Sequence, residues 1–244
     1  MKNFKLSVII SAVVLAIGFN ANAQDAKTIL SKMDDVMYSP QDMSGNNKIV
    51  LIDKAGKEKT REATMIQKGT DKRIFRFTAP ASQAGIAVLS LPDDIMYMYL
   101  PAFGKERRIS SSVKSQKFAG TDFYYDDMEA KPYAEKYTPK LIKTEGDVHV
   151  LELIPLSPKS TYSKLIVNVH KTDFYPTQMD YYDKGNTKIK VATYKFKKIG
   201  KYWNAEEIFM TDIKKNHKTK MIMSDVKYDQ GLTDDDFTVR KLKQ

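Results

Sequence analysis

The residues with the means to do chemistry are scattered along this chain. Its three histidines, His149, His170 and His217, fall in separate predicted strands or turns, with no HExxH and no paired spacing. A metal centre needs converging ligands, and none is signalled. There is no cysteine. That removes disulfides, thiol chemistry and Cys-based metal sites, and it removes the lipobox residue a lipoprotein would need. No GxSxG elbow and no phosphate-binding glycine loop occurs. Ser110-Ser111-Ser112 has no adjacent base and reads as a loop contact rather than a nucleophile. Asp234-Asp235-Asp236 lacks the alternating spacing and closing Glu of a Ca²⁺ loop. Thr233 before it reads instead as a helix N-cap, with carboxylates on the positive end of the dipole. The acid pairs Asp34/Asp35, Asp93/Asp94 and Asp126/Asp127 would have to converge on a glycosidic bond, yet neighbours in a strand face opposite ways. The expectation is therefore no enzyme, no cofactor and no metal.

The elements that carry these residues begin with an export signal. Lys2 and Lys5 form a basic start, Leu6 to Phe19 is almost wholly apolar, and Ala21-Asn22-Ala23 is a small-x-small cleavage site. Residues 1–23 read as a signal peptide, too short to span a membrane, with the mature chain beginning at Gln24 in the periplasm. Without Lys2 and Lys5 the net charge falls from +10 to +8. Such a balance suits anionic lipid or an acidic protein surface better than nucleic acid, and it equally suits a solvated mixed-charge surface. The mature length can bury a sizeable core without staples.

The first mature segment, 25–38, carries Ile29, Leu30, Met33, Val36 and Met37 in one apolar stripe, which predicts an amphipathic helix closed by Pro40 and Gly45. Thereafter short β-branched and aromatic runs alternate with Gly, Asn and Asp turns. Strands are expected near 46–53, 59–68, 72–79, 85–91, 94–100 and 105–111. A second set is expected near 138–145, 148–155, 163–170, 176–183, 187–198, 202–214 and 218–228. The spacing predicts a mainly β (α+β) fold, an antiparallel meander in a sandwich or barrel. Strands 86–91 and 95–100 are apolar on both faces and must be covered on both. Segment 113–137 reads as a loop with one short helix lying across the sheet. Between sheet and cover lies a core or a cavity, and the 12 methionines suit a deformable apolar lining.

Several stretches together resemble the LolA-like outer-membrane lipoprotein-sorting family, in the branch that includes the LolA-like treponemal protein and is often found beside RND-type exporters. The most specific runs from Lys105 to Met128 and matches that branch's RRISSSxKSxxFxGxDFxYxDM pattern. Lys72 to Pro80, Leu91 to Pro101, Phe174 to Thr177, Asp183 to Gly185 and Asp225 to Phe237 are similar to further family patterns, so the likeness spans most of residues 24–244, expected as one domain.

The resemblance implies a curved, unclosed antiparallel half-barrel with helices over its concave face. It also implies a job: holding acyl chains of a lipoprotein or other lipid while they cross the periplasm. Each buried CH₂ contributes ~0.8 kcal/mol, so a free anchor does not cross water unaided. On that reading Phe75, Phe77, Ile86, Leu89, Met96, Met98 and Leu100 line the cavity on the sheet. Leu30, Met33 and Met37 form the helical wall, and Phe118 and Phe123 lie in a lid. Arg107 and Arg108 would meet a phosphate or an acidic partner, or simply line a loop. The family's well-studied carrier has a gating basic residue in an early strand, and Lys68 and Arg73 are the nearest candidates here. Implied partners are an inner-membrane exporter of RND or ABC type and an outer-membrane acceptor, with the protein a monomer. Two other readings remain beside the carrier: a lipid-sensing or protein-binding regulatory module, and a hydrolase of envelope polymers.

Overall fold

The computed structural model describes residues 25–244; the expected signal segment and its cleavage site at Ala23 lie outside them. Residues 25–38 form helix α1. Six strands follow: β1 (Asp42–Ile52), β2 (Glu58–Lys68), β3 (Lys72–Ala79), β4 (Ala87–Leu91), β5 (Ile95–Leu100) and β6 (Lys105–Arg108). A strap, residues 109–136, then carries two single-turn helices, α2 (Ser111–Lys114) and α3 (Tyr133–Lys136). Seven more strands complete the sheet: β7 (Tyr137–Glu145), β8 (Val148–Pro155), β9 (Lys164–His170), β10 (Pro176–Tyr182), β11 (Lys188–Ile199), β12 (Tyr202–Asp212) and β13 (His217–Tyr228).

All belong to one 13-stranded antiparallel sheet in the order β6-β5-β4-β3-β2-β1-β13-β12-β11-β10-β9-β8-β7. The sheet is curved and unclosed, with β6 and β7 as its two edges. The strap leaves the sheet at the β6 edge and rejoins it at the β7 edge. No helix among the described residues is long and apolar enough to cross a membrane.

Turn chemistry sets the hairpins. Asp53 Oδ1 accepts the backbone N–H groups of Ala55 (2.8 Å) and Lys57 (3.0 Å), and Asp183 Oδ1 does the same for Gly185 and Thr187 (both 2.9 Å). These short side chains mimic a backbone turn and fix its register. One boundary differs from expectation. β1 starts at Asp42 rather than near 46, so Gly45 lies inside a strand and not at a helix end. There a Cβ would come within 3.3 Å of the Ser224 carbonyl on β13, a close approach that favours glycine.

The sheet has a covered side and a second, smaller core behind it. On the inner face Leu30 and Met33 of α1 pack with Phe75, Phe77, Met96 and Phe118 into the main core. On the outer face Ile74, Ala87 and Leu89 pack under Phe237 and Leu242 of the C-terminal segment. Asp42 holds that segment by accepting the N–H groups of Gln230, Gly231 and Leu232 at 2.8 to 2.9 Å. Thr233 and Asp236 cap the turn that follows. Arg76 then donates to the carbonyls of Lys241 (2.6 Å) and Leu242 (2.9 Å) at the last helix, α4 (Val239–Leu242). The strands apolar on both faces are thus covered twice, by the strap inside and by α4 outside. Leu89 faces α4, which corrects its expected place in the inner lining: alternation separates the two faces of a strand without saying which is inner.

Candidate functional site

The inner face is built by strand alternation, and the strap is fastened over it by aromatic packing and by buried ions. Phe118 inserts against Phe75 (5.6 Å between ring centroids), Phe77 (5.5 Å) and Tyr125 (5.5 Å). Its neighbour Ala119, at φ 47°, turns its carbonyl to the Arg61 guanidinium. Asp122, fully buried, donates its N–H to Thr219 Oγ1 (2.9 Å) and accepts from that hydroxyl (2.7 Å). The same carboxylate meets His217 Nδ1 at 2.6 Å and Lys117 at 2.6 Å, and Lys117 also pairs with Asp212 at 2.9 Å. Thr219 donates to Asp122 and not to His217, so the hydroxyl, carboxylate and imidazole here form an anchor without the order of a nucleophile triad.

Asp126 and Asp127, adjacent in sequence, are engaged by different lysines. Asp127 accepts from Lys190 (2.7 Å) and from the Tyr162 hydroxyl (2.7 Å). Lys190, only 1 % exposed, also donates to Tyr162 (2.6 Å) and lies 3.7 Å from the centre of the Tyr124 ring, with Tyr181 at 4.9 Å. Burial pushes the Lys190 ammonium down from its ordinary pKa and Asp127 partly restores it. Burial also pushes the Tyr162 hydroxyl well up, which keeps it a donor. Asp126 pairs with Lys136 (3.0 Å), and Glu129 joins Lys136 (2.9 Å) to Lys114 (2.7 Å). Burial disfavours charge on Lys136, but the two carboxylates outweigh it and raise its pKa. The strap is also pinned by the Ala130 N–H, which donates to Ser90 Oγ (3.0 Å).

Helix α1 is tied to the strap through Asp34 and Tyr38, and its Lys32 ammonium lies 4.5 Å from the centre of the Phe174 ring between β9 and β10. Asp34 accepts the N–H groups of Tyr133 (2.9 Å) and Ala134 (2.8 Å), and Tyr38 donates to the Lys131 carbonyl (3.1 Å). Burial raises the Asp34 carboxyl to about 6 against the pull of those two backbone donors.

Between α1, the strap and the inner face lies a cavity of about 190 Å³. Its wall is mostly apolar and aromatic, with Met43, Met65, Met221, Met223, Tyr194 and Trp203 among its members, and it includes Asn47, Gln67, Arg73 and Asn204. Of the residues expected to line it, Met37, Phe75 and Phe123 do so. Leu30, Met33, Phe77, Met96 and Phe118 are buried in the packed core around it, with Ile86 and Met98 half-buried at its margin. Leu100 is half-buried and joins neither core. Of the two gating candidates, Arg73 reaches the cavity, while Lys68 faces outward and pairs with Asp234 at 2.8 Å. A second groove of about 540 Å³ is lined by Arg108 of β6 together with Ser110, Ser111, Lys114, Glu129 and Lys159. Arg107 is exposed beside it, its guanidinium over the Phe103 ring.

Sequence reasoning missed Asn47, Lys190 and Asn204 as inner-face residues, because polar residues on strands read as outward-facing. The available signal was alternation: Lys190 shares its phase with Ala192 and Tyr194, both of which point inward.

Comparison with known proteins places this architecture. No curated protein matches the chain. A family model described as "Uncharacterized protein"-like matches residues 69–244. Among solved structures the chain is similar to a protein described as an outer membrane lipoprotein-sorting domain from Vibrio parahaemolyticus, with 29% identity and a TM-score of 0.84 over 91% of this chain and 100% of that one. It is similar to a DUF1329 family protein from Desulfovibrio piger, with 26% identity and a TM-score of 0.84 over 91% of this chain and 99% of that one. A LolA superfamily protein from Nitrosomonas europaea aligns at 25% identity and a TM-score of 0.77 over 88% of this chain and 98% of that one.

Proposed function

We propose, for a chain that belongs to the LolA-like lipoprotein-sorting family, that it is a periplasmic carrier which takes acyl chains of a lipoprotein or other lipid between its sheet and strap and moves them toward the outer membrane. The observation that carries this reading is the methionine- and aromatic-lined cavity between the inner face of the sheet, α1 and the strap. Flexible thioethers suit chains of varying shape. Burial of hydrocarbon supplies the affinity, and no covalent step is needed.

The size of the cavity shapes the proposal. Ligand pockets typically measure ~300–1,000 Å³, so about 190 Å³ holds only part of an acyl chain. Uptake then requires α1 or the strap to lift, and the buried ion pairs under the strap set what lifting costs. Arg107 and Arg108 on the β6 edge are the proposed contacts for an anionic headgroup or an acidic face of a membrane partner, an inner-membrane exporter or an outer-membrane acceptor.

The test is native mass spectrometry of protein purified gently from a periplasm. Acylated species bound near stoichiometry are expected and would name the cargo class. A clean apo mass with no uptake of added lipid would overturn the carrier and favour a protein-binding regulatory module of the envelope.

A further inference from the structure

The cavity is not uniformly greasy. Tyr228 on β13 pairs with Met43 on β1, Met43 pairs with Gln67 on β2, and Gln67 pairs with Arg73 on β3. Directly paired residues share a face, so these side chains form a row across the inner sheet. The Tyr228 hydroxyl extends the row by donating to Asn204 Oδ1 at 3.1 Å. Within the row Arg73 is satisfied by the neutral Gln67, whose Oε1 accepts from Nε (2.9 Å) and Nη2 (2.6 Å). Gln67 Nε2 in turn donates to the Gly69 carbonyl (3.2 Å).

Two groups remain. Asn47 and Asn204 are each only 3 % exposed, both line the cavity, and the Nδ2 of each has no hydrogen-bond partner within the protein. A buried amide donor without a partner is costly, and such groups in native proteins call for an explanation. Both are donors. Hydrocarbon alone would leave both unpaired, while an anion would give up its hydration against a wall that already carries Asp126, Asp127 and Glu129. A neutral, acceptor-only group set within an otherwise apolar molecule satisfies them at least cost.

We propose that Asn47 and Asn204 read the carbonyl oxygens of ester-linked acyl chains, so that the cavity recognises the linkage of its ligand as well as the hydrocarbon. This rests on the carrier reading and deepens it: the cargo class is narrowed to acyl esters, and the two amides are its specificity-determining residues.

The chain supplies its own reporter. Trp203, its one tryptophan, lines the same cavity. Purified, delipidated protein is titrated with dioctanoylglycerol and with dioctylglycerol, which carries the same length of chain through ethers and lacks both carbonyls, and Trp203 emission is followed. The intact protein is expected to bind the ester about tenfold more tightly, the ratio two ordinary hydrogen bonds supply. In the double variant Asn47→Leu/Asn204→Leu the ratio is expected to fall to about one, by loss of ester affinity; the Tyr228 hydroxyl loses its acceptor on Asn204 in the same variant, so no gain in melting temperature is expected. Equal affinity of the intact protein for ester and ether would overturn the inference and leave the carrier standing. Binding of neither would overturn the carrier and the inference with it. The ratio in the intact protein decides the matter even if the double variant does not fold.

Discussion

Lys190 on β11 and Asp127 on the strap meet at 2.7 Å with the lysine almost wholly out of solvent, and this pair is the deepest ionic link between sheet and cover. Removing one partner strands the other charge in an apolar setting, which costs about 3–5 kcal/mol, whereas replacing both by apolar groups of similar volume is often neutral. Lys190→Met and Asp127→Leu are therefore each expected to lower stability by about that amount, and the double variant by clearly less than their sum. Denaturant midpoints of the three variants check this. Additive losses would mean the two residues do not act as a pair.

Helix α1 should respond to pH through Asp34. Its carboxyl is raised from 3.8 to about 6 in the folded protein, chiefly by burial. Between about pH 4 and 6 the folded state then holds a proton that the unfolded state has released. Folding takes up that proton, so stability from this group is greatest below about pH 4 and declines as pH rises to about 6, by up to about 3 kcal/mol. Asp34→Asn removes the titration. The difference in stability between pH 4 and pH 7 should shrink in the variant, and an unchanged pH profile would remove Asp34 from the account.

A strap that must lift can be locked. The chain has no cysteine, and the Ala130 N–H donates to Ser90 Oγ at 3.0 Å, so these two positions are neighbours across strap and β4 and are the pair chosen for an engineered disulfide. Oxidised Ser90→Cys/Ala130→Cys protein should stay folded and lose lipid uptake by at least tenfold, with recovery on reduction. Undiminished uptake by the locked form would show that α1, and not the strap, provides the entrance.

The outer core offers a control. Phe237 is buried against β3 and β4 on the side away from the cavity. Phe237→Ala should cost about 3–5 kcal/mol and leave the dissociation constant for lipid unchanged within twofold, measured where the variant is still folded. A matched loss of affinity would mean that the two faces of the sheet are coupled.

Most of the fold was legible in the sequence because most strands carry their own alternation and most hairpins their own Asn, Asp or Gly. The start of β1 was not. Ser44, Gly45, Asn46 and Asn47 are poor strand formers, and they are held extended by pairing with β2 and β13 on both sides. Phe118 and Phe123, both on the strap within the stretch from Lys105 to Met128, are buried in the main core, and Phe123 reaches the cavity wall. What each strap acid touches was beyond sequence reasoning. Asp122 finds Thr219 and His217, and Asp127 finds Lys190, only after the sheet has curved. Leu89 was assigned to the wrong side because the C-terminal segment that covers it gives no sign in its own pattern of where it docks.

The order of strands also bears on how the protein comes to exist. Strands β1 to β6 are a run of neighbouring hairpins, and so are β7 to β13, but the centre of the sheet joins Asn47 to Met223. That one seam has very high contact order, and such long-range pairings are slow to form. A chain emerging from its N-terminus can assemble the first half early yet must hold β1 with one side unpaired until β13 arrives. The unpaired side of β1 includes Ile49, Val50 and Leu51, a template for unwanted strand addition in the interval. Folding of this protein is accordingly expected to end with the zipping of its middle, and the newly made chain to be most prone to aggregation just before that step.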